Sequence, residues 1–461
     1  MNPGQKTLVG EIDPAVLAYT AGEDVHLDRV LVEVDCIGTA AHVTMLSEMP
    51  LSTPLFSSAE KDQVIAVLIE VIRAHRQGHF QIAEADQDVH LAVERTLTAA
   101  LGDLGKRVHT GRSRNDQVAV DLRLFAKEQL LSILQETATF ATVLLRFAEQ
   151  HKEVPMAGRT HLQPAMPSTL GLWASAHAES LLDDLELLQE VYRQNNRSPL
   201  GSAAGYGVPL PIQRGRTSDL LGFARPIHNV LYASMARGRC ENVILMALSQ
   251  VMLSVGRLAE DMILYVMPEF GYFRLPSAYC TGSSIMPQKQ NPDVFELARA
   301  RSSGVLSCAM RVSGILKGLP GGYQRDLQET KAPFMEGLRL TYDTVKVLQP
   351  LMSSLEVNES ALRAGCVAGI FATDRALELV AEGLPFRDAY DRVKAEPDAL
   401  EGRDPVMAAM QKQHEGAPGG LDFAAMQERA ESTIDFVNRE TVCYNDKIST
   451  LLGIGYPALE K

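Results

Sequence analysis

The chain has 461 residues, 46% of them apolar and 22% charged, which is the composition of a globular protein and not of a disordered or fibrous one. At about 150 residues per domain, this length suggests roughly three domains and a core that needs no disulfide or metal staple. The 44 Lys and Arg against 57 Asp and Glu leave a net charge of −13, which argues against nucleic acid or an anionic membrane as partner but leaves room for a local cationic cleft and an anionic small substrate.

In chain order, the start MNPGQKTLVGEIDPAV places Glu11 and Asp13 where a secretory signal needs an apolar core. Residues 57–60, SSAE, read as a capping box, with Val64, Leu68, Val71 and Ile72 following on one helical face. From Arg112 to Val154 run 43 residues without Gly or Pro, enough for a helix of roughly 65 Å. Within it Leu130, Leu134, Thr137, Ala141, Leu144 and Ala148 repeat with 4-3 spacing. Leu172–Ser198 is a second such run. Ile244, Leu248, Val251, Val255, Leu258 and Met262 give the same repeat, and Val243, Met246, Ala247 and Met252 add apolar residues off the stripe. A helix apolar on several sides is buried on several sides. That fits the middle of a bundle completed by other subunits, and equally an ordinary core helix of a monomer.

The longest apolar stretch without a charge, Asn242–Gly256, has 15 residues, too few to span a bilayer, so no membrane partner is expected. Gly and Pro cluster at 155–158, 199–211, 268–292 and 314–322, and neither Asn-Gly nor Asp-Gly occurs. The expectation is therefore long helices joined by sizeable loops, with 395–420 forming surface loops of a small C-terminal domain. The cysteines at 36, 240, 280, 308, 366 and 443 show no C-x-x-C spacing, which excludes a zinc ribbon and suits a reducing, cytoplasmic compartment.

No Walker A, H-E-x-x-H or dinucleotide fingerprint appears, and GSAAGYG at 201–207 reads as a plain loop. Four polar segments stand out. HTGRSRNDQ (109–117) sets two guanidinium groups and an amide at the entrance to the longest helix, where free backbone N–H groups favour anions; a solvated cap with surface arginines is the plain alternative. GRTHLQP (158–164) carries His161, a group that moves protons near neutral pH, or else a satisfied structural histidine. TGSSIMPQKQNPD (281–293) holds Ser283, Ser284, Lys289 and Asn291 and is able to close over an anion, or is a linker. GYQRDLQETK (322–331) offers Tyr323, Gln328 and Lys331 to a polar ligand, or is an amphipathic helix start.

Taken together, GSSIMPQKQNPD, HTGRSRNDQ and GRTHLQPA resemble the argininosuccinate lyases of the fumarase/aspartase superfamily, as do DQDVHLAVE around His90 and ATDRALELVAEGLPFRDA near residue 380. The resemblance covers most of the chain. It implies an all-α fold in three domains: an N-terminal helical domain over 1–110, a central long-helix bundle over 111–362 and a small C-terminal helical domain over 363–461. It implies a homotetramer whose active sites are shared between subunits, and reversible anti elimination of argininosuccinate to arginine and fumarate without metal or organic cofactor. By resemblance Ser283 is the base, Lys289 and Asn291 stabilise the dianionic intermediate, and His161, oriented by Glu296, is the candidate acid. Ser113, Arg114, Asn115, Thr160, Tyr323, Gln328, Lys331, Arg237 and His90 are implied substrate contacts. The chain departs from the family pattern in four places. KTLVG (6–10) replaces an N-terminal Trp-Gly-Gly-Arg-Phe, Asp24 replaces a substrate-contacting Ser, and Gln213 and Gly238 stand where Asp is common. These departures bear on which amine leaves. A lyase acting on another N-succinyl amine and a non-catalytic structural relative are the two other readings.

Overall fold

The computed structural model describes residues 6–7, 10–11 and 13–460. Readings made on the first 12 residues, the KTLVG departure and the missing signal core, lie largely outside the described residues. Helices that matter for the site are α1 (Pro14–Ala21), α2 (Val32–Glu48), α3 (Ser58–Arg76), α4 (Val89–Leu101), α5 (Arg114–Gln150), α6 (Leu170–Asn195), α7 (Arg239–Tyr265), α8 (Asp293–Leu316), α9 (Lys331–Ser353), α10 (Ala372–Ala381), α11 (Phe386–Ala395) and α12 (Phe423–Leu452). Among the described residues strands occur only as two-stranded pairs.

The long helices begin and pack as their patterns require. At α3, Ser57 N–H donates to Glu60 Oε2 (2.8 Å) and Glu60 N–H to Ser57 Oγ (3.2 Å), closing the capping box. Every residue of the 4-3 stripe on α5 is buried, and so is every one on α7. α5, α6, α7, α8 and α9 pack side by side, with α12 laid against α5 and α6. The α7 stripe is thus buried within the chain, whereas Met246 and Leu253 of α7, Leu297, Leu306 and Met310 of α8 and Val347 of α9 stay exposed. Helices long and apolar enough to cross a membrane do occur, contrary to the expectation from charge-free stretches alone. Asp24–Glu48, Arg114–Gln150 and Arg239–Tyr265 qualify by length and composition, because such spans tolerate a few charges; their most apolar windows are 83%, 67% and 56% buried inside the protein.

Segment 363–461 divides between two cores. Ile370, Phe371, Ala376, Leu379, Ala389, Val393 and Leu400, from α10, α11 and their neighbours, form a small separate core with Ala157. Helix α12 instead returns to the main core through Ala430, Val437, Tyr444, Ile448 and Leu451.

One stretch read as loop is a hairpin. Pro155–Thr160 pairs antiparallel with Gln163–Thr169, and its two-residue turn is His161–Leu162, with φ of 54° and 59°. Paired positive φ values are what Asn-Gly normally supplies, so a His-Leu turn carries no sequence signal. Lys412 Nζ donates to Pro167 O (2.8 Å), tying the hairpin to the small core.

Glu128 on α5 fastens the C-terminal helix. The hydroxyls of Tyr444 (2.9 Å) and Tyr456 (3.0 Å) both donate to its Oε1. Burial pushes the Glu128 carboxyl up to about 7, with the nearby Glu33 adding to the shift and the two hydroxyls and Arg76 opposing it. A raised carboxyl pKa means that the folded state holds a proton the unfolded chain releases near pH 4.5. Its contribution to stability is therefore complete below pH 4.5 and lost as the pH rises to about 7. Glu128→Gln, which mimics the protonated acid, is expected to match the wild type at pH 4.5 and exceed it at pH 8 by on the order of 1–3 kcal/mol in urea unfolding.

Candidate active site

Both ends of α5 carry site residues. At its start Ser113 is the N-cap, its hydroxyl accepting from Asn115 N–H (3.3 Å) while Asp116 Oδ1 accepts from Ser113 N–H (2.9 Å). The other Asp116 oxygen accepts from Gly201 N–H (3.0 Å) and Ala203 N–H (2.9 Å). The glycine-rich loop thus has a structural duty: it holds the α5 entrance in place. Burial raises the Asp116 carboxyl to about 6 despite these donors.

Beside that entrance lies a small cavity of about 50 Å³. It brings together Arg114, Asn115, Arg237, Tyr323, Gln328 and Lys331, residues that the resemblance implied as substrate contacts. Arg114 lies 3.1 Å from Asp88. Arg237 is buried with its guanidinium carbon 5.4 Å from the centre of the Tyr323 ring, and its Nε has no hydrogen-bond partner among the described residues. Gln328 uses its side-chain nitrogen to close the wall, donating to Thr20 O and Ala21 O (both 3.1 Å) at the end of α1. Lys331 is 1% exposed and meets Asp28 at 2.6 Å and Asp24 at 3.0 Å.

His161 sits at the exposed hairpin turn, next to the exposed Thr160. It borders a different cavity of about 420 Å³, walled by Arg159, Trp173, Asp261, Tyr265 and Phe270. There Trp173 Nε1 donates to Asp261 Oδ2 (2.8 Å), with His177 Nε2 at 3.1 Å from the same oxygen. Ser283 lies in an open loop whose ends are bridged between Thr281 and Asn291. Its Oγ accepts from the backbone N–H groups of Ile285 (3.3 Å) and Met286 (3.1 Å). Two amides aimed at one hydroxyl oxygen favour its anionic form. Lys289 is exposed in the same loop, and Glu296 is exposed on the first turn of α8.

The cavity at the start of α5 does not meet the other two clusters within one chain. Helix α5 has 37 residues, so the hairpin that follows it begins about 55 Å from the cavity at its start. Helix α7 runs from beside Arg237 to Tyr265, which borders the His161 cavity. The Ser283 loop follows beyond that same far end. No hydrogen bond or ion pair joins His161 to Glu296 among the described residues.

His90 corrects one expectation. It does not border the cavity; its ring is buried, with Nδ1 2.9 Å from Asp35 and 3.5 Å from Asp121. Asp35 also accepts from Gln117 Nε2 (2.7 Å). Burial works to raise Asp35, but His90, Arg112 and the Gln117 hydrogen bond hold it below the usual range, while burial and the Asp35 charge push Asp121 well up. Asp35, His90 and Asp121 bring one ligand atom each within 4.8 Å of one another. With the Arg112 guanidinium beside them, they form a buried charge network locking α2, α4 and α5 together. The residues of this stretch that do reach the cavity are Gln87 and Asp88, the latter the N-cap of α4, whose side chain accepts from Leu91 N–H (3.0 Å). Asp88 and Arg325 were missed. Asp88 was discernible as the cap of an apolar helix, but nothing in sequence spacing tells that a cap faces a cavity.

A family model for lyases matches residues 19–307. The argininosuccinate lyase of Bacteroides thetaiotaomicron is 39% identical over 433 residues, 93% of this chain and 96% of that protein. That of Sorangium cellulosum is 42% identical over 423 residues, 92% and 97% of the two chains. The chain belongs to the argininosuccinate lyase family. Among solved structures, EDDS lyase in complex with formate superposes with a TM-score of 0.79 at 21% identity, covering 96% of this chain and 97% of that one. The class II fumarase of Schistosoma mansoni does so with 0.70 at 16%, covering 89% and 99%. These likenesses establish the all-α fold shared by such lyases.

Two departures from the family pattern have local explanations. Gln213 is the cap residue of the Arg214–Leu220 helix, and its side chain reaches Glu48 O (3.4 Å). Gly238 caps α7 at φ 75°, and a Cβ there would lie 2.6 Å from Leu316 Cδ2 and 3.1 Å from Leu327 Cδ2. An Asp at 238 meets both a glycine backbone and a filled space. Gly238→Ala should lower unfolding stability by about 1–3 kcal/mol; a denaturation midpoint equal to the wild type's would show that the backbone relaxes freely.

Proposed function

We infer that the chain is a carbon–nitrogen lyase cleaving argininosuccinate to arginine and fumarate. The observation that carries this is the identity of about 40% to argininosuccinate lyases over more than nine-tenths of both chains. The chemistry demands what the clusters contain. The C–H bond beside a carboxylate is a very weak acid, and its ionisation puts two negative charges on one carboxylate. Fixed cations and hydrogen-bond donors in a closed site make such a dianion accessible.

Ser283 is the base, its oxygen already receiving two backbone N–H groups. Lys289 and Asn291, on the same loop, stabilise the dianion as the loop closes, the first by its charge and the second by hydrogen bonding. His161 protonates the leaving nitrogen, with Glu296 orienting it. Thr160 flanks His161, and the cavity at the α5 entrance holds the substrate through Arg114, Asn115, Arg237 and Tyr323, with Gln328 and Lys331 in its walls and Ser113 capping the helix that carries Arg114. Because one chain keeps these parts at opposite ends of α5, the working site is assembled between subunits of a homotetramer. The exposed apolar residues of α7, α8 and α9 support that association. The six cysteines are all free, in keeping with a cytoplasmic setting.

Incubation with argininosuccinate, followed by the ultraviolet absorbance of fumarate, tests the reaction directly; no turnover across several buffers overturns it. Ser283→Ala and Lys289→Ala should each slow fumarate release at least about 100-fold. Mixed tetramers of Arg114→Ala and Ser283→Ala chains should regain activity that neither variant has alone, since the α5-entrance cavity and the Ser283 loop of one chain lie at opposite ends and some sites then draw both intact parts from different subunits. Mixtures as inactive as their parents would remove the shared-site arrangement.

A further inference from the structure

We propose that the cavity between the end of α6 and the start of α7 binds an organic anion of the nucleoside diphosphate class, with several phosphate charges on an aromatic or apolar body. The site does not depend on the lyase reading. It shares no lining residue with the cavity at the α5 entrance.

The cavity has a volume of about 660 Å³, the size of a small-molecule site. Four arginines line it: Arg123 of α5, Arg197, Arg225, and Arg239 in the first turn of α7. Arg123 is buried, and its Nη1 donates to Asn195 O (3.0 Å) and Gln194 O (3.4 Å). Its other nitrogens donate to no group among the described residues. Arg197 and Arg225 stand directly opposite each other where Arg197–Ser198 pairs in parallel with Arg225–Pro226. Like charges so placed repel, unless an anion lies between them. None of the four arginines forms an ion pair among the described residues. Glu190 is the one acidic residue of the lining, and it is paired with Arg193 at 3.5 Å. Glu241, buried nearby, attracts Arg237 and Arg123 without bonding either. A chain with a net charge of −13 thus gathers four cations round one cavity against a single lining carboxylate.

The ligand class follows from the lining. A guanidinium pairs with phosphate oxygens through two parallel hydrogen bonds, and several of them suit a multiply charged anion better than a single carboxylate. Ile227, Leu231, Tyr232, Met235 and Val243 supply apolar and aromatic surface in the same cavity. Inorganic phosphate would leave that surface unused, whereas a flat base or similar body covers it.

Calorimetry on the assembled full-length protein at physiological ionic strength compares ADP, pyrophosphate and adenosine. The proteins are the wild type, the double variant Arg225→Gln/Arg239→Gln, and Arg114→Ala as a control in the other cavity. Arg225 and Arg239 are exposed, so their replacement leaves the fold intact. The wild type should bind ADP with a Kd below about 1 mM, pyrophosphate less tightly, and adenosine least. The double variant should lose ADP affinity at least about tenfold, and Arg114→Ala should keep it. An ADP affinity that falls as far in Arg114→Ala as in the double variant would place the anion in the α5 cavity and overturn the proposal. Absence of ADP binding by the wild type would mean that a second copy of the chain covers the arginines, and overturns it too. Pyrophosphate bound as tightly as ADP would overturn the ligand class. Fumarate release by the double variant without ADP should match that of the wild type; its collapse would assign these arginines to the reacting site and overturn the proposal.

Discussion

A straight α-helix cannot bring its own ends together, and α5 is 37 residues long. The cation-lined cavity sits at its start and the histidine hairpin follows its end, so the rigidity that makes a good bundle also keeps these two polar clusters apart. In the shared-site arrangement proposed above, each end of one subunit would face the opposite end of another. The exposed apolar residues along α7, α8 and α9 are the surface that such an arrangement would cover.

Charge is the second constraint. A site that stabilises a dianion must hold cations in place before the substrate arrives, yet a buried uncompensated cation is costly. Lys331 is held by Asp24 and Asp28, Arg114 by Asp88, and the buried Arg112 by the network around Asp35 and Asp121. The carboxylates keep these groups charged and aimed while the cavity is empty. The Ser283 loop takes the opposite course. Its ammonium is left exposed, and its Ser283 oxygen is met by backbone amides that carry no net charge.

The glycine-rich loop and the His90 network show how much of the site's precision is structural. Asp116 gathers three backbone donors from two segments, and Asp35 gathers His90 and Gln117. Neither touches the cavity. Both decide the rotation of the first turn of α5 and therefore the direction in which Arg114 and Asn115 point.

The helices, their apolar stripes and the capping box at Ser57 were legible in the sequence because helical periodicity and capping are local, written within a few residues of each other. The polar motifs were legible for the same reason, and their combination pointed to the family. The hairpin was not, since His161 and Leu162 hold positive φ only because the strands around them pair. Nor was the inward turn of His90, the return of α12 to the main core, or the presence of Asp24 on Lys331, residues some 300 positions apart in the chain. Sequence by itself determined which groups the protein owns. Tertiary packing decided which of them share a space, because hydrogen bonds and ion pairs depend on distances of about 3 Å that spacing along a chain does not encode.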